Sequence, residues 1–315
     1  MTGPYDARIR RADRLATQQP FATEILALYR HIAEFQRDLH ATIRATNSLR
    51  LNSIAAESFR AAFDVSTILP HFPKFLVLIQ RVAPAPLATA ARDLQSQSPA
   101  FRQSLLTAHL SVIDPASSTD SSSANDNLSE PAAASASLPG SPSASASSHH
   151  ASTENASHSP KNPLANPLLA FFPAAFLQPY AEFLAAHVAP PPPNASSHSC
   201  PICSSPPLLG VLRQEGDGGK RFLLCSFCLR EWEFRRILCP ACAEETERSL
   251  PVYTAEQLPH IRVEACDTCH FYLRTIDLTK DGNAVPIVDD LAALPLTLWA
   301  NEHIYSRIYP NLLST

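Results

Sequence analysis

An α+β protein is the class this sequence predicts: an all-helical N-terminal domain, then two small four-cysteine metal-knuckle modules of the β-ribbon kind, then a C-terminal helix. Three observations predict it. All eight cysteines of the 315-residue chain lie between Cys200 and Cys269. Residues 1–115 contain one glycine, Gly3, and space their apolar side chains three and four apart, as a helix face requires. Five of the seven glycines then fall between Gly210 and Gly282, among short β-like runs.

The helical elements follow in order. From Pro20, a residue suited to a first turn, the positions Phe21, Ile25, Leu28, Tyr29, Ile32, Phe35, Leu39 and Ile43 line one face. Shorter helical patterns run over Ala55–Phe63, Phe72–Val82, Pro86–Leu94 and Phe101–Val112, with Pro70, Pro73, Pro84 and Pro86 between them. Upstream, Met1–Ala16 carries Arg8, Arg10, Arg11 and Arg14 with no apolar stretch behind them, which excludes a secretory signal. Residues 116–161 are mostly Ser, Ala, Asn and Pro; they cannot bury enough surface to offset their ordering entropy, so a disordered insertion is expected there. The His149-His150 pair inside it lacks the fixed geometry of a metal site.

Helical pattern returns at Leu164–Val188. Pro173, Gln178, Pro179 and Glu182 interrupt it, so it falls short of the ~20 continuous apolar residues of a membrane span. The run Pro190–Pro193 ends it as an extended linker. The resulting partition is a helical domain over 1–189 interrupted at 116–161, a Pro-rich linker over 190–199, and a double metal-binding domain with a C-terminal helix over 200–315.

The cysteines form four CxxC pairs: Cys200/Cys203, Cys225/Cys228, Cys239/Cys242 and Cys266/Cys269. In a reducing cytosol, where this chain is expected, paired thiols serve as metal ligands or redox groups more often than as disulfides. Two intervening residues let a backbone knuckle aim both sulfurs at one ion, and two facing knuckles supply a tetrahedral S4 site. The gaps between pairs are 21, 10 and 23 residues, and the two long ones lie close to the spacing of about 15–20 in four-cysteine ribbons. The first long gap accommodates two strands around the turn Gly216-Asp217-Gly218-Gly219. Sequential pairing, first with second and third with fourth, is therefore expected, although spacing alone leaves a cross-braced arrangement open. Metal closure would also stabilise a module too small to hold itself together by apolar burial. Iron and zinc both accept this ligand set.

Two rival uses of the same residues are less well supported. A thiol redox protein would set one reactive pair apart from the rest, and the four pairs look equivalent. A nucleic-acid-binding zinc ribbon would want a basic surface, yet Cys200–Arg274 holds nine Lys and Arg against ten Asp and Glu, and each filled site adds about −2. The formal net charge of the whole chain, −4, selects neither nucleic acid nor an acidic membrane.

The runs CPICSSPPLLGVLR (Cys200–Arg213), RFLLCSFCLREWEFRRILCPAC (Arg221–Cys242), VEACDTCHFYLRTID (Val263–Asp277) and DDLAALPLTLWANEHIYSRIYPNLL (Asp289–Leu313) resemble the formate dehydrogenase accessory (formation) protein family, FdhE. Arg11–Gln36 and Phe171–Ala185 are similar to that family's helical half. The resemblance implies rubredoxin-like metal knuckles with the eight cysteines as ligands to two iron or zinc ions. It also implies a non-enzymatic role in maturing respiratory formate dehydrogenase in the cytoplasm, by binding the catalytic subunit. A homodimer is compatible with it. Asp267, Asp289 and Asp290 match recurrent family positions; turn formation and helix capping account for them without further chemistry. Family knuckles commonly place Gly after the second cysteine, where φ is positive, whereas here those positions are Ser204, Leu229, Ala243 and His270. His270 and His198 are candidate substitute ligands, but four thiolates already complete a tetrahedral site.

Overall fold

The computed structural model describes residues 3–47, 55–56, 59–112, 164, 166–189, 197–216 and 218–313. The expected insertion at 116–161 and the polyproline part of the linker lie outside the described residues. Seven helices form the first half: α1 (Pro4–Gln18), α2 (Thr23–Asn47), α3 (Val65–Ile68), α4 (Phe72–Val82), α5 (Ala85–Ser96), α6 (Pro99–Val112) and α7 (Pro167–Ala185). Proline stands in the first turn of α1, α4, α5 and α7, where its missing N–H costs nothing. Asp64 and Asn166 cap α3 and α7 by accepting from the N–H of Ser66 and Leu168.

Two local readings change. α1 is an added helix: its buried face alternates Tyr5, Ala12 and Leu15 with Arg8 and Arg11, and buried arginines conceal the apolar period. The helix expected over Ala55–Phe63 gives way, in its described part, to a turn at 59–62. A run this short is a poor helix in isolation, and ring packing decides instead: Phe63 lies 5.1 Å from Tyr180 and 5.8 Å from Phe227, centroid to centroid.

α7 is the central helix of this half. By length and composition it could cross a membrane, but 72% of its apolar window is buried inside the fold. Pro173 and Pro179 sit within it without ending it. Pro179 cannot donate to the carbonyl of Ala175, and Gln36 of α2 supplies the missing donor, its Nε2 reaching Ala175 O at 2.8 Å. The same Nε2 also donates to Gln178 Oε1 at 3.1 Å.

The second half is one seven-stranded sheet of β1 (Pro207–Glu215), β2 (Gly218–Cys225), β3 (Glu231–Glu233), β4 (Val252–Thr254), β5 (Ile261–Ala265), β6 (Phe271–Asp277) and β7 (Ser306–Arg307), in the order β3-β2-β1-β6-β5-β4 with β7 beside β6. Each metal-knuckle ribbon is an antiparallel hairpin, β1/β2 and β5/β6. Their joint is the parallel pairing of β1 with β6, where Gly210 faces Thr275. A Cβ at Gly210 would meet Thr275 Oγ1 at 2.2 Å, so this close approach requires glycine. The β-like run expected over Trp232–Leu238 is ordered as a strand only to Glu233, because residues beyond it turn into the third cysteine knuckle. The C-terminal helix is two short ones, α8 (Pro286–Leu291) and α9 (Leu294–Glu302), followed by β7.

One hydrophobic core joins α2 and α4–α7 to Cys200, Ile202, Cys203, Phe227, Trp232 and Phe234 of the first ribbon. A second core packs the sheet against α9, and a third packs α1 and α2 against α8.

Candidate metal centre

The four knuckles repeat one local structure. In each, the N–H of the first cysteine donates to the carbonyl five residues on: Cys200 to Ser205 (2.8 Å), Cys225 to Arg230 (3.0 Å), Cys239 to Glu244 (2.9 Å) and Cys266 to Phe271 (3.0 Å). In three of them the residue after the second cysteine donates back to the first cysteine's carbonyl, from Ser204, Ala243 and His270. This loop requires a left-handed residue after the second cysteine. Ser204, Leu229, Ala243 and His270 take φ of 61°, 54°, 64° and 57°, the positive values expected at these positions, and each side chain there costs about 1–2 kcal/mol relative to a right-handed position.

The knuckles face one another in sequence order. Cys200, Cys203, Cys225 and Cys228 form one group and Cys239, Cys242, Cys266 and Cys269 another, with all ligand atoms of a group within 4.8 Å of one another. This is the sequential pairing, and the cross-braced alternative is excluded. The closest sulfur pairs of the first group lie 3.3–3.6 Å apart, and those of the second 3.6 and 3.8 Å apart. A tetrahedron with metal–sulfur bonds of about 2.3 Å has edges of about 3.8 Å, so both groups fit a metal ion with little adjustment. Their acid–base chemistry points the same way. Burial pushes the Cys225 and Cys228 thiols well up, while hydrogen bonds from Cys200, Cys225 and Cys228 draw Cys203 down. Four buried sulfurs so close cannot all ionise by themselves, and a cation among them would offset the repulsion. In the second group burial pushes Cys239 up to about 11.

Neither candidate histidine joins a cluster. His198 Nδ1 lies 3.0 Å from Pro240 O and its ring packs edge-on against Phe234, while His270 serves as a left-handed knuckle residue.

Side chains outside the cysteine pairs also fix the first cluster, and Arg60 among them carries no sequence signal. Arg60, in the turn before α3, donates from Nη2 to Cys203 O at 2.7 Å and from Nη1 to Leu110 O at 2.6 Å. It thus ties a knuckle to the end of α6. Trp232 donates to Ser197 O at 2.8 Å, and the neighbouring Glu231 accepts a forked pair from Arg213 at 2.7 Å.

The aspartates take on more than turn and cap duties. Asp289 and Asp290 lie inside α8 and do not cap the helix that follows, whose N-cap is Ala293; Asp289 accepts from the N–H of Val285 at the start of its own helix (2.7 Å). Its carboxylate also binds Arg11 of α1 and His260 Nε2 (2.8 Å) while it is fully buried. Asp290, equally buried, pairs with Arg274 at 2.7 Å and Arg307 at 2.8 Å and accepts from Asn311. Asp267 accepts from Tyr305 Oη at 2.6 Å. At the other end, Arg8 of α1 forks onto Glu182 of α7 at 2.7 and 2.9 Å. His260, Asp281 and Asp289 could also gather a cation, but Arg11 already lies on both carboxylates and supplies the positive charge.

The chain is similar to known proteins. Residues 199–236 match the family model described as FdhE, central domain, and residues 237–314 the one described as FdhE, C-terminal domain. An FdhE homolog of Aquifex aeolicus is 33% identical over 154 residues, 49% of this chain and 54% of that protein. One of Pseudomonas aeruginosa is 39% identical over 119 residues, 36% of this chain and 38% of that protein. The matched part thus spans about half of the first relative's length and less of the second. The crystal structure of the FdhE protein from Pseudomonas aeruginosa superposes with a TM-score of 0.64 at 23% identity, covering 100% of this chain and 97% of that one, and shares the fold.

Proposed function

We propose, from the match of residues 199–314 to the FdhE central and C-terminal domain models, that the chain acts in the formation of formate dehydrogenase as a non-enzymatic assembly factor in the cytoplasm. In this reading it binds the catalytic subunit through or beside the cysteine-rich half. One observation carries the proposal: the family match covers the segment that holds both four-cysteine clusters. All eight cysteines, Cys200, Cys203, Cys225, Cys228, Cys239, Cys242, Cys266 and Cys269, would hold two iron or zinc ions. A bound ion supplies cross-linking of distant chain segments, which is folding free energy for so small a ribbon. The chain's own part is to present that stapled sheet and to brace it from the helices through Arg60 and Arg11. The test is retention of the formate dehydrogenase catalytic subunit by the tagged, metal-loaded chain under anaerobic conditions. Retention lost on Cys242→Ser is the expected result, and no retention by the unmodified chain sinks the proposal.

A second reading, an iron-based redox protein, is favoured by the exposure of Cys242 and the partial exposure of Cys269, since electron exchange needs an approachable centre. It predicts a visible spectrum that bleaches and returns with reductant and oxidant; stoichiometric colourless zinc removes it. The acidic balance of Cys200–Arg274 leaves nucleic acid without comparable support.

A further inference from the structure

Where α2, α6 and α7 meet the first pair of knuckles and the C-terminal segment, the fold leaves a cavity of about 490 Å³. That volume lies within the range of small-molecule sites, about 300–1,000 Å³. Its walls come from distant parts of the chain: Tyr29 of α2, His109 of α6, Phe171 and Gln178 of α7, and Ser204 and Phe227 of the knuckles. None of the residues lining it is Asp, Glu, Lys or Arg.

Two buried polar side chains in this apolar lining have hydrogen-bonding capacity to spare. Tyr29, 2% exposed, contributes its ring to the wall, its hydroxyl being sealed within the fold. His109 is 8% exposed; its ring packs edge-on against Phe227 at 5.7 Å and makes no hydrogen bond among the described residues. Burial pushes its imidazole down to about 4, so the ring is neutral at pH 7. Gln178 accepts from Gln36 through Oε1, which leaves its amide N–H groups without a partner among the described residues. Unpaired polar groups in an apolar wall carry an uncompensated desolvation cost, and a ligand that pairs them recovers it. A charged ligand would meet no countercharge there.

We infer that this cavity is a binding site for an uncharged, mostly apolar small molecule carrying a hydrogen-bond acceptor such as a ketone oxygen, received by the Gln178 amide. The site is independent of the role in formate dehydrogenase formation, since its walls rather than the sulfurs select the ligand.

Three probes of one shape test it by calorimetric titration of the metal-loaded full chain: 2-acetylnaphthalene, 2-ethylnaphthalene and 2-naphthoate. The ketone binds one-to-one; the hydrocarbon binds about tenfold more weakly for want of the acceptor; the carboxylate does not bind. Gln178→Met brings the ketone close to the hydrocarbon, and Ala174→Phe, which fills the space from α7, abolishes binding. Intermolecular nuclear Overhauser contacts from the ketone to His109 and Phe227 locate it in the unmodified chain, whether or not the variants fold. No saturable binding of the ketone, equal binding of ketone and hydrocarbon, or equal binding of the naphthoate overturns the inference.

Discussion

All four sulfurs of the first cluster are buried beneath the helices, whereas in the second Cys242 is exposed and Cys269 half-buried. Their knuckles are built alike, with the same cysteine-to-carbonyl hydrogen bond and the same left-handed residue. The difference therefore arises outside the motif. Core side chains of α2 and α4–α7 close over the first cluster, and Arg60 clamps its Cys203 carbonyl. The second has no such cover among the described residues. Equivalent local chemistry thus gives one site integrated in the main core and one open to reagents and partners.

The largest expected effect breaks that symmetry directly. Alkylation of the metal-loaded chain by iodoacetamide, followed by peptide mass spectrometry, should modify Cys242 first and Cys269 next. Cys200, Cys203, Cys225 and Cys228 should lag by more than about 100-fold, since their exposure requires opening of the main core. Equal rates at all eight would erase the comparison. Cys225→Ser should destabilise the whole chain by at least about 3 kcal/mol, a fall in Tm of roughly 6–12 °C. Cys242→Ser should lose one metal equivalent with a smaller fall, as read by scanning calorimetry and metal analysis.

Next come the buried charges beside the second ribbon. Asp290→Ala strands Arg274 and Arg307 and should cost about 3–5 kcal/mol in denaturant titration. The unmodified chain carries the same information in its pH dependence. Asp290 stays below the ordinary 3.8 because the charges of Arg274 and Arg307 outweigh its burial, and Glu264 stays below 4.5 because Arg221 and Arg262 outweigh its own. Folded values below unfolded ones mean this stability is fully present above the ordinary carboxyl range and is lost as pH falls through the depressed values. Acid unfolding should therefore begin only below about pH 4, and Asp290→Ala should flatten that limb.

Gly210→Ala addresses the joint between the ribbons. A Cβ so close to Thr275 should cost about 1–3 kcal/mol and loosen hydrogen-exchange protection along β1 and β6 while leaving metal content unchanged. The smallest effect concerns the knuckles. Ser204 and Ala243 are both exposed and left-handed, one in each cluster, so Ser204→Gly and Ala243→Gly should each stabilise by about 1 kcal/mol. Equal gains at the two sites would show that local strain ignores the surrounding cover; a gain at Ala243 alone would show that the core already holds Ser204 in place.

Much of this was legible from residue spacing, because helices, knuckles and their order depend on interactions within a few residues. α4, α5 and α6 fall where apolar period and proline placed them. The eight cysteines read as two clusters because CxxC is itself a local device, and the need for positive φ at Ser204, Leu229, Ala243 and His270 follows from the knuckle. What spacing concealed was tertiary. Arg8 and Arg11 read as charges on a polar terminus, yet each is buried by a carboxylate more than 170 residues away in the chain. Pro179 reads as an interruption until Gln36 supplies the hydrogen bond it forgoes.

The sequence by itself determined the helical class of the first half and the four cysteine pairs, and it favoured their sequential closure without deciding it, since each rests on short-range geometry or on spacing. Only the tertiary structure decided that the two ribbons share one sheet across Gly210, that Asp289 and Asp290 anchor buried arginines, and that one cluster is covered while the other is open. Those outcomes depend on which distant surfaces meet, and burial and pairing between distant residues leave no period or motif in the chain.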